Sequence, residues 1–450
     1  MFKQRVALSD HFTYKKIFFQ TLNPILTMIF ISIYGAVDGL FVSNFDSLEG
    51  FAGLNLIMPL IMIIGGFGYM FGSGGSALVG KLLGEKKNDY ASRVFTMVVG
   101  TTIVCGIILS VVGFFLVEPL ANWLGSINST SNPVVVEKAI IYGRILVCGQ
   151  FLYMLQSIFQ NFFVVAERQR LGFVFTLSAG LTNMIFDALF IAVFGWGVVG
   201  AAVATIMGMA VAGIGPLIYF TVNKKGLITF KKTNYEIRPI LKSCTNGFSD
   251  FIFNISSSIV GLVYNIMLLK YFGDNGVTAY GVTMYVTFIF IAIFIGYVVG
   301  MGPVVSYHYG AKNTDELKNV KTKSFILILI VGLVMGVGCF ILARPLSLLF
   351  CGDSSEAVEL SIKALRICSP LYLIAGYSIF ITNFFTSLNN GLVSGLISIF
   401  RTLLAQIACI VLLPIIFGGE AIWWAGITSE TLSIIVCFSF LIANRKKYQY

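Results

Sequence analysis

The chain has 450 residues, of which 57% are hydrophobic and only 11% are charged, with a formal net charge of +10. Soluble proteins carry about 25% charged residues, so this composition excludes a soluble domain and points to an integral membrane protein. The apolar runs are long and continuous, which excludes an alternating porin-type barrel and requires helices.

In chain order the apolar runs fall near residues 17–43, 51–80, 94–117, 139–165, 171–194, 198–222, 243–269, 277–306, 324–343, 360–386, 392–417 and 421–443. They predict an all-α integral membrane protein with twelve transmembrane helices and both termini on one side. The polar, basic lead before the first run has no small-residue cleavage site, so the run is expected to stay as the first helix. Loops on the terminal side hold most of the 30 lysines and arginines, from Lys3, Arg5, Lys15 and Lys16 to Arg445, Lys446 and Lys447. The positive-inside rule therefore predicts cytoplasmic termini in a multi-pass protein of the cell membrane. It also accounts for the basic excess as a topology signal, without nucleic acid.

The first run, FFQTLNPILTMIFISIYGAVDGLF (Phe18 to Phe41), contains Asp38. A charge at that depth costs a few kcal/mol even on lenient insertion scales, and it usually faces a cavity or a partner. The second run includes GGFGYMFGSGGSALVG, which has a superficial likeness to a phosphate loop. No glycine stands three residues after Gly68 and no strand precedes it, so the small residues are read as sites of close helix approach. Pro24, Pro59 and Pro303 lie inside runs and are candidate kinks.

In the fourth run Gln150, Gln156 and Asn161 are polar candidates for a cavity lining. The fifth run, GFVFTLSAGLTNMIFDALFIAVF, places Asn183 and Asp187 four residues apart, on one helix face. The sixth adds a hydroxyl at Thr205. Two embedded acids, an amide and a hydroxyl offer the oxygen ligands that a small hard cation takes. If the two acids face each other, both cannot be ionised cheaply and they titrate as a pair, so a proton or a sodium ion would neutralise the site. The eight cysteines are scattered singly, and His11 and His308 are isolated in sequence, so neither a zinc nor a haem site is expected. No HExxH, GxSxG or cysteine–histidine arrangement appears, and the chain is not expected to be an enzyme.

The longest polar loop, Asn223 to Pro239, divides two similar halves, 1–225 with helices 1–6 and 226–450 with helices 7–12. GEKKNDYASRV at Gly84 recurs as GAKNTDELKNV at Gly310, and Arg144-Ile145 with Asn161-Phe162-Phe163 recurs as Arg366-Ile367 with Asn383-Phe384-Phe385. Two six-helix copies in one orientation make a parallel repeat, an architecture that holds substrate between lobes near the midplane. The second copy has no acid in LLAQIACIV (403–411), where the first has Asn183 and Asp187. It has Asp250, Arg401 and Glu430 instead, candidates either for pairing with one another or for the substrate cavity.

Asp38, Asn183-x-x-x-Asp187, GVVGAAVAT ending at Thr205 and AIWWAGITSE ending at Glu430, in this order and spacing over the whole chain, resemble the multidrug and toxic compound extrusion (MATE) family, in its bacterial branches. The resemblance implies two six-helix bundles that export lipophilic or cationic organic compounds in exchange for sodium ions or protons, by alternating access and as a monomer. It implies a cation site at Asp38, Asn183, Asp187 and Thr205, with Tyr34 and Tyr142 nearby. It implies no cofactor beyond the coupling ion. Tyr372 to Phe385 lacks the further acid that some members carry in the tenth helix, which argues against a second cation site. The rival reading is a flippase of a lipid-linked oligosaccharide. Its pyrophosphate would require several embedded basic residues, of which Arg401 is the clearest here.

Overall fold

The computed structural model describes residues 6–127, 132–351 and 355–450; Lys3 and Arg5 of the basic tally lie outside the described residues. The described chain is almost entirely helical, as the unbroken apolar runs require. The first lobe comprises α1 (Tyr14–Phe45), α2 (Leu48–Gly84), α3 (Asn88–Ile127), α4 (Pro133–Cys148), α5 (Gln150–Val165), α6 (Gln169–Asp187) and α7 (Gly197–Val222). The second comprises α8 (Ile237–Gly310), α9 (Thr314–Cys351), α10 (Ser355–Cys368), α11 (Leu371–Ser387), α12 (Gly391–Ile399), α13 (Ala405–Phe417) and α14 (Ala425–Tyr448). Within α8 the backbone breaks at Gly273, where φ is +60°, giving two arms, Ile237–Gly273 and Asn275–Gly310.

Ten helices are individually long and apolar enough to span a membrane, and α10 with α11, bent by 53°, makes an eleventh crossing. The expected fourth span is likewise interrupted. It consists of two 16-residue helices meeting at Gly149, each too short to cross alone. At the α10–α11 bend Pro370 has no N–H to continue a helix; at the α4–α5 junction Gly149 lets α7 approach closely, a Cβ there lying 2.5 Å from Ile206. Several helices outrun their apolar segments. The 40 residues of α3 reach about 60 Å at 1.5 Å per residue, twice the hydrocarbon thickness. Its extra turns are polar and carry the Arg93–Asp89 pair at 2.9 Å. Helix assignment continues through Pro24, Pro59 and Pro303.

The duplication is written into the backbone as well as the sequence. Among described non-glycine residues with positive φ, Lys86 (61°) matches Lys312 (55°) after the α2 and α8 ends, and Glu167 (56°) matches Asn389 (57°) after α5 and α11. These left-handed residues close the same helix-ending turns in the two copies. Each lobe has its own buried core. In the first, Phe95, Phe162 and Phe220 pack at one end, and Ile57, Tyr142 and Ala201 at the other. In the second, Phe294, Tyr372 and Phe384 form the larger cluster and Leu268 and Trp423 the smaller. Large apolar side chains such as Phe115, Val222, Leu349 and Ile442 point outward, as a lipid-facing surface demands.

The lobes meet mainly through α2 and α8. Their backbones touch where glycines face backbone: a Cβ on Gly74 would stand 1.9 Å from the Ser243 carbonyl, and one on Gly247 1.9 Å from that of Met70. Gly84 and Gly310 approach the opposite helix in the same way. These contacts, with Gly296 and Gly300 of α8 against Pro24, Ile25 and Thr21 of α1, lie in the half of the molecule that bears the termini. In the other half Gly35, Gly261 and Gly281 have no neighbouring atom within 4 Å of a built Cβ.

Candidate functional site: an acid pair in the first lobe and its surroundings

Asn183 and Asp187 lie on the last turns of α6, immediately before a π-helical stretch, Ala188–Val193. The wider turn is closed by the Phe194 N–H donating to the Leu189 carbonyl at 2.9 Å. Such π-turns are costly and recur at functional sites. The half of α1 far from the N-terminus packs on α6, with Phe30 and Tyr34 against Gly180, and this brings Asp38 to the same place. The side chains of Asp38, Asp187 and Asn183 face one another. Thr205 enters from α7, its hydroxyl 3.5 Å from Asn183 Nδ2 while it donates to the Ala201 carbonyl at 2.9 Å. Tyr142 of α4, fully buried, closes the site with its hydroxyl toward Thr205 and its charge environment set by both acids.

What distinguishes this cluster is its unmet acceptors. Asp38 Oδ1, Asn183 Oδ1 and both carboxylate oxygens of Asp187 are buried and make no hydrogen bond of ordinary geometry among the described residues, although the Asn183 amide faces both carboxylates. Buried polar atoms are normally satisfied, and leaving one bare costs about 1–3 kcal/mol. Four such oxygens on three side chains make an electronegative cluster, of a kind that a shared proton or a hard monovalent cation would satisfy.

The remaining candidates separate into distinct settings. Gln156 meets the Tyr34 hydroxyl, one turn from Asp38. Gln150 is fully buried and donates to the Ile61 carbonyl at 2.8 Å, tying α5 to α2. Asn161 bonds within its own helix to the Ser157 carbonyl at 3.1 Å and lies against Gly72. Both of these sit inside first-lobe packing. Glu430 accepts from Arg401 Nε at 2.8 Å, with both side chains buried, and Arg401 lies on a second π-helical stretch, Phe400–Leu404. Asp250 does not join that pair. It crosses the lobe interface and accepts a hydrogen bond from Ser73 of α2.

Sequence reasoning missed the residues between the two acid centres. Tyr69 stands one turn before Ser73 on α2, its hydroxyl 3.2 Å from that of Tyr153 on α5, and it senses both Tyr34 and Asp250. Phe67 and Phe251 pack across the lobes with ring centroids 4.6 Å apart. The signal for Tyr69–Ser73 was present as a polar i, i+4 pair inside an apolar run.

The MatE family model matches residues 24–189 and 251–412, one segment in each lobe. Relatives include the multidrug export protein MepA of Staphylococcus saprophyticus, 23% identical over 92% of this chain and 90% of that protein, and MepA of Staphylococcus haemolyticus, 22% identical over the same shares. Among solved structures, MATE in complex with MaL6 superposes with a TM-score of 0.91 at 20% identity over 98% of both chains. An outward-facing multidrug resistance MATE transporter of the MOP superfamily superposes with 0.88 at 21% identity, over 98% of this chain and 97% of that one. With the family model matching a segment in each lobe and solved MATE structures sharing the fold, this chain is a member of the MATE family of membrane transporters.

Proposed function

We propose that the chain is a secondary active antiporter that exports lipophilic, cationic organic compounds in exchange for sodium ions or protons. The observation that carries this reading is the set of four buried acceptor oxygens on Asp38, Asn183 and Asp187 that make no hydrogen bond of ordinary geometry among the described residues. A site of this kind inside the bilayer gains from capturing a cation, and its charge changes when the cation leaves. Residues 1–225 and 226–450 act as the two moving bodies, alternating access between the sides, with the basic termini and the 223–239 loop in the cytoplasm. The lobes are in contact at the terminal end, so this state opens away from the cytoplasm. The chain works as a monomer in the cell membrane, with no cofactor and no covalent chemistry.

The organic cation is held at the floor of the inter-lobe cleft. Asp250 supplies the charge there, and Phe67, Phe251, Tyr69 and Tyr153 supply faces suited to cation–π contact. Supporting this over the flippase reading, the buried Arg401 is already neutralised by Glu430, which leaves it poorly disposed to a pyrophosphate. The MepA relatives are named as multidrug exporters.

The test is efflux of a fluorescent organic cation from vesicles containing the purified protein, under imposed sodium or proton gradients. Export driven by one of these gradients and reduced at least tenfold in Asp38→Asn is expected. Asp38→Asn exporting at the wild-type rate under the gradient would sink the coupling role, and no gradient-driven export by the wild type would sink the antiport reading. Asp250→Asn is expected to weaken cation binding about tenfold without removing ion-driven proton or sodium movement.

A further inference from the structure

The two copies of the repeat differ at one charge whose surroundings are otherwise kept. In the register that matches Gly84 to Gly310, Phe114, Glu118 and Pro119 of α3 become Phe340, Arg344 and Pro345 of α9. Arg144 of α4 becomes Arg366 of α10. The matched arginines are held alike. Arg144 lies over the Phe114 ring and Arg366 over the Phe340 ring, each with its guanidinium carbon 5.3 Å from the centroid. In the first lobe Arg144 Nη2 also reaches Glu118 Oε2 at 2.5 Å, and the two charges cancel. In the second lobe Arg344 stands in place of that acid. The Cys339 thiol donates to the Leu365 carbonyl at 3.6 Å and fixes α9 against α10 at this level. Phe340 and Arg344 are one turn apart on one helix face. Arg366, over Phe340, therefore has Arg344 as its neighbour.

Neither Arg344 nor Arg366 forms an ion pair among the described residues, whereas Lys138, Arg144 and Lys363 at the same end each meet an acid. The acids near the start of α10 are engaged elsewhere. Glu356 accepts from Asn275 Nδ2 at 2.8 Å, and Glu420 accepts from Lys363. Glu359 stands two turns before Arg366, about 10 Å along the helix axis. The depth of the arginines follows from α9. Lys323 and Arg344 bracket an uncharged run, 324–343, which at 1.5 Å per residue covers about 30 Å, the hydrocarbon thickness. Arg344 thus sits at headgroup level in the leaflet away from the termini. Around it the surface is apolar and open, with Phe340 51%, Ile341 67% and Leu342 49% exposed. Adjacent guanidinium groups repel each other and gain from an anion placed between them. Their planar donors match phosphate oxygens in paired hydrogen bonds.

We propose that Arg344 and Arg366 form a binding site for the phosphate of an anionic phospholipid, whose acyl chains lie along Phe340 and Ile341. The occupant is a lipid because both arginines are exposed on the apolar belt that faces the bilayer. Two uncancelled positive charges favour an anionic headgroup over a zwitterionic one. The first lobe lacks the site, because Glu118 already fills the place of the anion.

The experiment uses the full chain in a background lacking its native cysteines, reconstituted in vesicles of phosphatidylcholine and phosphatidylglycerol. A bimane label at Ile341→Cys reports lipid contact through quenching by brominated acyl chains. A second label, at Phe115→Cys, reports on the matching exposed position of the first lobe. Quenching at Ile341 is expected to show about fivefold preference for brominated phosphatidylglycerol over brominated phosphatidylcholine. The Phe115 label is expected to show none. Arg344→Glu gives the second lobe the charge pairing of the first and is expected to remove the preference. Arg344→Gln, a milder change, is expected to reduce it at least twofold. Overturning results are no preference at Ile341, an equal preference at Phe115, or a preference that survives both substitutions. Loss of the preference on adding inorganic phosphate, but not sodium chloride of equal ionic strength, identifies a free-phosphate site and also overturns the proposal. None of these readouts requires transport, so they stand apart from the antiport reading.

Discussion

At the scale of single residues, the two lobes manage embedded charge in opposite ways. In the first lobe Asp38 Oδ1 and both Asp187 oxygens share a site and make no hydrogen bond of ordinary geometry among the described residues, and in the second Arg401 and Glu430 cancel each other at 2.8 Å. The second pair is a structural unit. Removing one member of a buried pair leaves a bare charge and typically costs about 3–5 kcal/mol, whereas replacing both with apolar groups is often neutral. Glu430→Gln and Arg401→Met alone are therefore expected to lower the thermal unfolding temperature in detergent substantially, and Arg401→Met/Glu430→Met to restore most of it. Unequal, additive losses would mean that the two do not act as a pair. For the acid pair the expectation runs the other way. Asp38→Asn and Asp187→Asn each relieve like-charge crowding, so neither is expected to destabilise the fold, yet each is expected to reduce ion-driven export at least tenfold. Because they act as one site, the double variant should be scarcely worse than either single one. Parallel melting curves and vesicle flux measurements separate the two effects.

At the scale of elements, the seam between α2 and α8 depends on missing side chains. The backbone approach at Gly74 and Gly247 leaves no room for a Cβ, since the opposing atoms are main-chain carbonyls that cannot swing aside. Gly74→Val is expected to prevent this closure of the terminal end and to raise the accessibility of engineered cysteines near Ser243 to a water-soluble thiol reagent from that side. Unchanged accessibility would show that the seam tolerates spreading without loss of closure. The π-helical stretches are a second element-level device. Ala188–Val193 follows Asp187 directly, and Phe400–Leu404 carries Arg401, so each lobe widens its helix where it buries an ionisable group. Their positions differ between copies. The residue 222 positions after Asp187 is Cys409, on regular α13.

At the scale of the whole molecule, the lobes touch backbone to backbone at the end that bears the termini, with α1 belonging to both. Its first turns lie in the core of the second lobe, and its far half packs on α6. The antiport proposed above requires that substrate move one way only when an ion moves the other. Adding the organic cation to one side of vesicles, with no other gradient, is expected to drive proton or sodium movement in the opposite direction, and Asp38→Asn is expected to abolish it. Substrate flux of normal size with no ion movement would identify a uniporter.

Much of this was legible in the linear chain, for stated reasons. Bilayer thickness dictates run length, so the spans and their count follow from hydropathy, and the repeated GEKKND/GAKNTD and Asn-Phe-Phe motifs reveal the duplication before any coordinate does. The cost of burying charge singles out Asp38 and Asp187, and helix periodicity puts Asn183 on the face of Asp187. Other features depended on distance in three dimensions. The sequence could not say that Asp250 bonds to Ser73 in the other lobe while Glu430 takes Arg401, because both choices satisfy the same charges. Nor could it place Gln150 and Asn161 in intra-lobe packing and Gln156 beside Tyr34, since all three share one helix and differ only in which neighbour they meet. The main-chain bonds of Leu8 to Glu167 and of Phe12 to Glu316 were equally invisible, since main-chain groups are the same in every residue. What the sequence determined by itself was where the chain lies in the membrane and which residues are expensive to keep there. Which of those residues meet, and which end of the two lobes is shut, only tertiary packing decided.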